Sequence, residues 1–184
     1  ANKNTQDEQL LKLTEQVLST QRTQPQLIVL HLMGSHPQAC DRTKGKYTVF
    51  VQSKETSCYL YTMTQTDDLL SKLYTQLQNT GDSFSMVYFS DHGENLLISH
   101  NPDVFTFDMV RIPMWMYLSP AYQQALPGHT KALRQHESRY FTNDMLYDTI
   151  CGLLNAPSSR YNPEQDFASP SYAFTRQDLT TMLG

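Results

Sequence analysis

The amino-acid sequence predicts an α/β domain in which helices flank a mostly parallel sheet. Two apolar runs, at residues 26–32 and 84–89, have the length and composition of buried strands. Between them, residues 58–79 carry apolar side chains at intervals of three and four, as a helix with one buried face does. A third apolar run follows at 114–118. Strands that alternate with helices favour a parallel sheet.

The remaining segments of the sequence predict three more helices, one long loop and a C-terminal tail. Residues 7–19 predict an amphipathic helix before the first strand, because their four leucines and Val17 share one face. Residues 37–57 are interpreted as a long ordered loop. After the third strand, Ser119 and Pro120 predict the cap and first position of a helix over about 121–135. Thr142 predicts the cap of a last helix, and residues 157–184 predict a mostly irregular surface tail.

Composition narrows the class of protein. The chain has 184 residues, enough for one well-buried domain. Its net charge is −4 and its fourteen Lys and Arg residues are scattered, so a nucleic-acid partner is disfavoured. No apolar run approaches the roughly 20 residues that span a bilayer. The first twenty residues lack the apolar core of a signal peptide.

Side chains that bind metals follow the first two predicted strands. His36 comes after the first strand through Gly34-Ser35, and Asp91-His92 come directly after the second. Because the carboxyl ends of parallel strands share one edge of a sheet, we expect these three side chains to converge, with His100 arriving from the next loop. Imidazole nitrogens and a carboxylate oxygen are ligands that zinc accepts.

Each of these residues also has a simpler interpretation. Asp91-His92-Gly93 is compatible with an ordinary turn in which Gly93 has a positive φ. Glu94 is a candidate hydrogen-bond partner for a ligating histidine, or else a plain exposed residue. Four aromatic residues are expected in the core: Tyr88, Phe89, Trp115 and Tyr117. His31 is expected inside the first strand, and His129 and His136 on a solvated surface.

The order of these motifs resembles a known family. The sequence Gly34-Ser35-His36, then Ser90 to Glu94, then His100 ahead of Arg111-Ile112-Pro113, is similar to the second half of the catalytic domain of bacterial phosphoethanolamine transferases. These enzymes belong to the alkaline phosphatase and sulfatase superfamily. The similarity continues to Tyr161-Asn162-Pro163. It implies an alkaline phosphatase-like fold, with residues 1–184 forming the C-terminal portion of a single catalytic domain.

The resemblance also implies roles for the residues. Asp91 and His92 match two zinc ligands of such enzymes, and His36 and His100 match the histidines that contact the phosphoryl group or an additional zinc ion. One or two zinc ions are therefore expected. The family's glutamate ligand and threonine nucleophile belong to segments before the first strand, so neither is assigned here. We expect this chain alone to be inactive and to bind zinc weakly at best.

Partners and location follow from the same resemblance. The expected donor is phosphatidylethanolamine, and the expected acceptor is lipid A, another lipopolysaccharide sugar or a periplasmic glucan. The parent protein is expected to be a monomer in the bacterial inner membrane, anchored by an N-terminal region, with this domain in the periplasm. The alternatives are a sulfatase or phosphatase of the same superfamily and a non-catalytic relative.

The sequence contains three cysteines. A periplasmic domain folds in an oxidising compartment, where disulfides persist. We predict a disulfide between Cys40 and Cys58 and a buried thiol at Cys151.

Overall fold

A computed structural model of the protein describes residues 7–21, 23–99, 101 and 103–179. The helices and strands in chain order are α1 (Gln9–Leu18), α2 (Ala39–Arg42), α3 (Lys54–Thr80), β1 (Ser85–Phe89), β2 (Met114–Leu118), α4 (Pro120–Ala125), α5 (Pro127–His136) and α6 (Leu146–Leu153). Short 3₁₀ turns lie at Phe107–Met109 and Asn143–Met145. None of the described helices is both long and apolar enough to cross a bilayer.

The described residues fall into two compact units. The first combines Ala1–Asp82 with His92–Ile112, and the second combines Ser83–Asp91 with Pro113–Gly184.

Helix α3 dominates the first unit. It begins at Lys54, earlier than predicted, because the Oγ of Ser53 accepts a hydrogen bond from the backbone N–H of Thr56. It ends at Thr80, and the next residue, Gly81, caps it with a φ of 72°, which favours glycine. Helices α1 and α2 both pack against α3. Part of the predicted loop at 37–57 is therefore helical, since it contains α2.

The predicted strand at 26–32 is wrong for the part of the chain that the structure describes. These residues form no strand, because no described strand pairs with them. Their burial nevertheless alternates: Leu27 and Val29 are exposed, whereas Ile28 and Leu30 are half-buried. This alternation is typical of an extended chain, but a strand also needs a partner for its backbone N–H and C=O groups.

The described sheet has two antiparallel strands. In it β1 pairs with β2, so that Val87 lies opposite Met116 and Tyr88 opposite Trp115. The mostly parallel sheet is not confirmed, because the run at 26–32, which would have made it parallel, stays unpaired. Phe89 and Trp115 were expected in the core, yet each is 38% exposed.

One apolar cluster forms the core of the second unit. Its buried members are Tyr122, Leu133, Met145, Leu153, Phe167, Ala168 and Tyr172. Val87, Met114, Met116 and Leu118 of the sheet pack against it. The predicted cap of α4 is confirmed, since the Oγ of Ser119 accepts from the N–H of Tyr122 at 3.2 Å. The single helix predicted over 121–135 is instead α4 and α5, because Pro127 cannot continue a helix.

The end of the chain departs from the surface tail that we predicted. Residues 157–179 contain no helix or strand, but Phe167, Ala168 and Tyr172 are buried. His136, expected to be solvated, is 4% exposed, and its Nδ1 lies 2.9 Å from the carbonyl oxygen of Phe167. Thr142 precedes the 3₁₀ turn at Asn143–Met145, and its side chain makes no capping bond.

Candidate metal centre

Asp91 and His92 lie just beyond the last residue of β1, as predicted. The strand ends here because the backbone leaves the ladder: the N–H of Ser90 reaches the carbonyl oxygen of Pro113 only at 3.4 Å. Both side chains are exposed. A carboxylate and an imidazole therefore sit consecutively at the carboxyl end of a strand.

A backbone contact determines the tautomer of His92. Its Nδ1 lies 2.8 Å from the carbonyl oxygen of Gly93, which can only accept a hydrogen bond. Nδ1 must then carry the proton, and Nε2 has the lone pair that would bind a metal. Glu94 was one candidate acceptor for a ligating histidine; at Nδ1 of His92 the acceptor is the Gly93 carbonyl.

Gly93 is required for close approach of two backbone segments. A Cβ atom at this position would collide with the carbonyl oxygen of Asp108. The N–H of Gly93 donates to the carbonyl oxygen of Met109 at 2.7 Å. The simpler interpretation, a turn with positive φ at Gly93, is wrong, because the described glycines with positive φ are Gly34, Gly45 and Gly81. The loop that follows His92 is thus packed tightly against residues 108–109.

A charged pair holds the turn that leads to His36. The two carboxylate oxygens of Asp7 accept from the backbone N–H groups of Met33 at 3.0 Å and Gly34 at 2.9 Å. Arg42 donates from Nε to the carbonyl oxygen of Gly34 at 3.1 Å. Gly34 itself has a φ of 49°, a conformation that favours glycine. The side chain of His36 is exposed at the end of this turn.

Two further links fix the same segment. The hydroxyl groups of Thr62 on α3 and Ser35 form a hydrogen bond of 2.8 Å. The predicted disulfide between Cys40 and Cys58 is confirmed, with the two Cα atoms 5.0 Å apart, and it joins α2 to α3. Cys151 has a free thiol, as expected, but it is half-buried rather than buried.

The predicted convergence of the four site residues stays a prediction. Asp91 and His92 are brought together by sequence, while His100 lies outside the described residues. Among the residues that the structure describes, no group of three His, Cys, Asp or Glu side chains is placed to hold a metal ion. One carboxylate and one imidazole fit zinc chemically, but a catalytic zinc ion usually has three protein ligands. The described residues therefore fit part of a zinc site.

The sequence-based prediction missed the residues that support this site. They are Asp7 and Arg42 beside Gly34, and Asn143, whose amide nitrogen donates to the carbonyl oxygens of Ser90 and Asp91. The contacts of Asp7 and Asn143 span 26 to 53 residues of sequence. No local pattern could have indicated them.

Comparison with known proteins places the chain in a family. The family model described as Sulfatase matches residues 1–156. A phosphoethanolamine transferase, OpgE of Escherichia coli strain K12, is 78% identical over 93 residues, which make up 50% of this chain and 18% of that protein. The chain spans between 18% and 30% of the curated relatives that it matches.

Solved structures share the fold. The C-terminal periplasmic domain of EptC from Escherichia coli, in complex with Zn, superposes with a TM-score of 0.79 at 22% identity, covering 95% of this chain and 53% of that one. The integral membrane protein lipooligosaccharide phosphoethanolamine transferase A (EptA) from Neisseria meningitidis gives a TM-score of 0.75 at 23% identity, covering 88% of this chain and 34% of that one. Both likenesses concern the fold. The family match over residues 1–156 shows that the chain belongs to the sulfatase family.

Proposed function

We propose that the protein containing this chain is a zinc-dependent phosphoethanolamine transferase, which moves phosphoethanolamine from phosphatidylethanolamine to a cell-envelope acceptor such as lipid A, a lipopolysaccharide sugar or a glucan. One observation carries the proposal: Asp91 and His92 directly follow β1 in a chain of the sulfatase family. The 78% identity to OpgE over half of the chain supports the transferase over a sulfatase or phosphatase.

Asp91 and His92 are the proposed zinc ligands. Asp91 would contribute a carboxylate oxygen, and His92 would contribute Nε2, since Nδ1 donates to the Gly93 carbonyl. A glutamate and a threonine from another part of the protein would complete the set. A bound zinc ion would neutralise charge on the phosphoryl oxygens and lower the pKa of the coordinated threonine hydroxyl.

His36 and His100 are the proposed catalytic residues beside the metal. Phosphoryl transfer depends mainly on positioning and on neutralising charge. An imidazole can also protonate the departing diacylglycerol oxygen near neutral pH. For His36, the contacts of Asp7 and Arg42 with the preceding turn support this role, because they restrict where its ring can reach.

We further propose that the domain lies in the periplasm of a protein anchored in the bacterial inner membrane. The disulfide between Cys40 and Cys58 supports this, because such bonds persist in oxidising compartments and are rare in the cytosol. One relative that shares the fold is itself an integral membrane protein.

The proposal is tested by measuring phosphoethanolamine release from a fluorescent phosphatidylethanolamine analogue. We expect activity in the full-length parent, none in the parent carrying His92→Ala, and none in the 184-residue chain alone. Zinc-dependent turnover by the 184-residue chain, abolished by His92→Ala, would show that the nucleophile lies in this sequence. Cleavage of a sulfate ester by the parent, without phosphoethanolamine transfer, would favour a sulfatase instead.

A further inference from the structure

Asn143 contacts the backbone that carries Asp91. Its Nδ2 lies 3.0 Å from the carbonyl oxygen of Ser90 and 3.2 Å from that of Asp91. An amide nitrogen has two hydrogens, so each carbonyl can receive one. A further contact of this segment, from the N–H of Ser90 to the carbonyl oxygen of Pro113, is longer at 3.4 Å. Asn143 therefore restrains the end of β1 through two carbonyl groups.

The orientation of the Asn143 amide follows from these contacts. If the amide were flipped, Oδ1 would face two carbonyl oxygens, and none of the three atoms could donate. In the observed orientation, Oδ1 is buried and accepts no hydrogen bond from any described residue. A buried acceptor without a partner is unfavourable and needs a reason.

Asn143 is itself held firmly. It opens the 3₁₀ turn at Asn143–Met145, in which the N–H of Met145 donates to the carbonyl oxygen of Thr142 at 3.0 Å. Met145 is 3% exposed and belongs to the apolar core of the second unit. The turn therefore connects the core to the backbone of Ser90 and Asp91.

We propose that Asn143 is a positioning residue for Asp91: it fixes the backbone at Ser90 and Asp91 so that the Asp91 carboxylate is directed towards the metal. This inference rests on the proposed function, because it takes Asp91 to be a zinc ligand. Groups that orient metal ligands typically change metal affinity or activity by about 10- to 100-fold when they are removed.

Two substitutions separate positioning from stability. In Asn143→Leu, the leucine side chain has nearly the same shape as asparagine. The substitution loses the two donated hydrogen bonds, which lowers stability, and removes the buried Oδ1, which raises it, so the two effects on folding oppose each other. Asn143→Asp places a carboxylate oxygen against the two carbonyl oxygens and repels the backbone of Asp91. Asn162→Asp is the matched control, since Oδ1 of Asn162 accepts from the N–H of Glu164 and an aspartate can do the same.

The experiment uses the full-length parent protein. Zinc affinity is measured by competition with a chromophoric chelator, the Tm of the metal-free protein by calorimetry, and transfer by the fluorescent phosphatidylethanolamine assay. For Asn143→Leu we expect zinc affinity and kcat to fall about tenfold or more, with the KM for the donor and the metal-free Tm close to wild type. Asn143→Asp should weaken zinc binding further, and Asn162→Asp should match the wild type.

The outcomes are distinct. Wild-type zinc affinity and kcat in Asn143→Leu would overturn the inference, and so would a loss that only follows a lowered Tm in the metal-free protein. If the wild-type parent binds no zinc, the proposed function fails and the inference falls with it. If the wild type binds zinc tightly and Asn143→Leu binds it equally well, the inference alone fails.

Discussion

Asp7 and Arg42 bind the same residue of one turn: the Asp7 carboxylate accepts from the N–H of Gly34, and the Arg42 guanidinium donates to the carbonyl oxygen of Gly34. The two side chains also lie 3.7 Å apart and are only 19% and 15% exposed. Two residues after Gly34 comes His36, a proposed catalytic residue. A pair that is distant in sequence thus fixes the position of a site residue.

Asp7→Ala should destabilise the protein. It removes two hydrogen bonds from backbone N–H groups to a charged acceptor, and we expect a loss of about 2 kcal/mol in the free energy of unfolding by urea. Glu8→Ala is the control, because its ion pair with Lys72 is long at 4.0 Å and both side chains are largely exposed, so little change is expected. Equal effects of the two substitutions would contradict a special role for Asp7.

Loss of the disulfide should be costly. The bond between Cys40 and Cys58 closes a loop with a sequence separation of 18 residues. In the chain-entropy model, replacing both residues by alanine costs about 3 kcal/mol in the free energy of unfolding. Cys151→Ala, which removes a half-buried free thiol, should cost less. Peptide mapping without reductant should recover the peptides of Cys40 and Cys58 joined; recovering them separately from periplasmic material would refute the bond.

Gly93→Ala should disturb the loop after His92. The added Cβ would collide with the carbonyl oxygen of Asp108, which is backbone and cannot rotate away. We expect a loss of about 1–3 kcal/mol in unfolding free energy and a weaker affinity of the parent for zinc. Gly128→Ala in α5 is the control: no atom lies within 4 Å of its added Cβ, so the protein should stay equally or more stable. A wild-type unfolding curve for Gly93→Ala would show that the close approach does not matter.

Asp166 should cause the free energy of unfolding to decrease as the pH rises. Burial raises the pKa of this carboxyl above its ordinary value of 3.8, although hydrogen bonds from Tyr161 and Ala168 partly oppose the shift. Between the unfolded and folded pKa values the folded state binds more protons, so the free energy of unfolding decreases with increasing pH and then levels off. Asp166→Asn should remove this decrease from urea unfolding curves collected from pH 3.5 upwards, about the lower end of the carboxyl range.

The pKa of Asp178 is shifted in the opposite direction from that of Asp166. Hydrogen bonds from Thr175 lower the pKa of its carboxyl. The stability that ionised Asp178 contributes to the fold is therefore present above its pKa in the unfolded state, and it is lost as the pH falls through its pKa in the folded state. Asp178→Asn should flatten the acid side of the same curves.

Identical pH profiles for Asp166→Asn and the wild type would show that Asp166 is not protonated preferentially in the folded state.

Local signals explain what could be predicted from the sequence. Ser119-Pro120, Gly81 and the apolar runs at β1 and β2 act within a few residues, and the structure has the corresponding helix start, helix end and strands. The strand at 26–32 failed because strand pairing depends on a partner elsewhere in the chain. His136 was misplaced for a similar reason, since Phe167 and Tyr172 bury it from about thirty residues away.

The candidate site shows the same difference between local and long-range signals. Asp91, His92 and His36 could be proposed from the sequence because each follows an apolar run, and that pattern is local. Asn143 and Asp7 could not be found, because they contact backbone groups 53 and 27 residues away. Arg42 contacts Gly34 from eight residues away, and no local pattern indicates that contact.

The proposed zinc site can be tested by locating zinc in a crystal of the full-length parent, by anomalous scattering at the zinc absorption edge. We predict a peak about 2.0–2.2 Å from a carboxylate oxygen of Asp91 and from Nε2 of His92, with the peak lost in Asp91→Asn. The exposed Asp82, which precedes β1, is the matched control, and Asp82→Asn should keep the peak. A zinc peak that contacts neither Asp91 nor His92, or one that survives Asp91→Asn unchanged, would contradict the account.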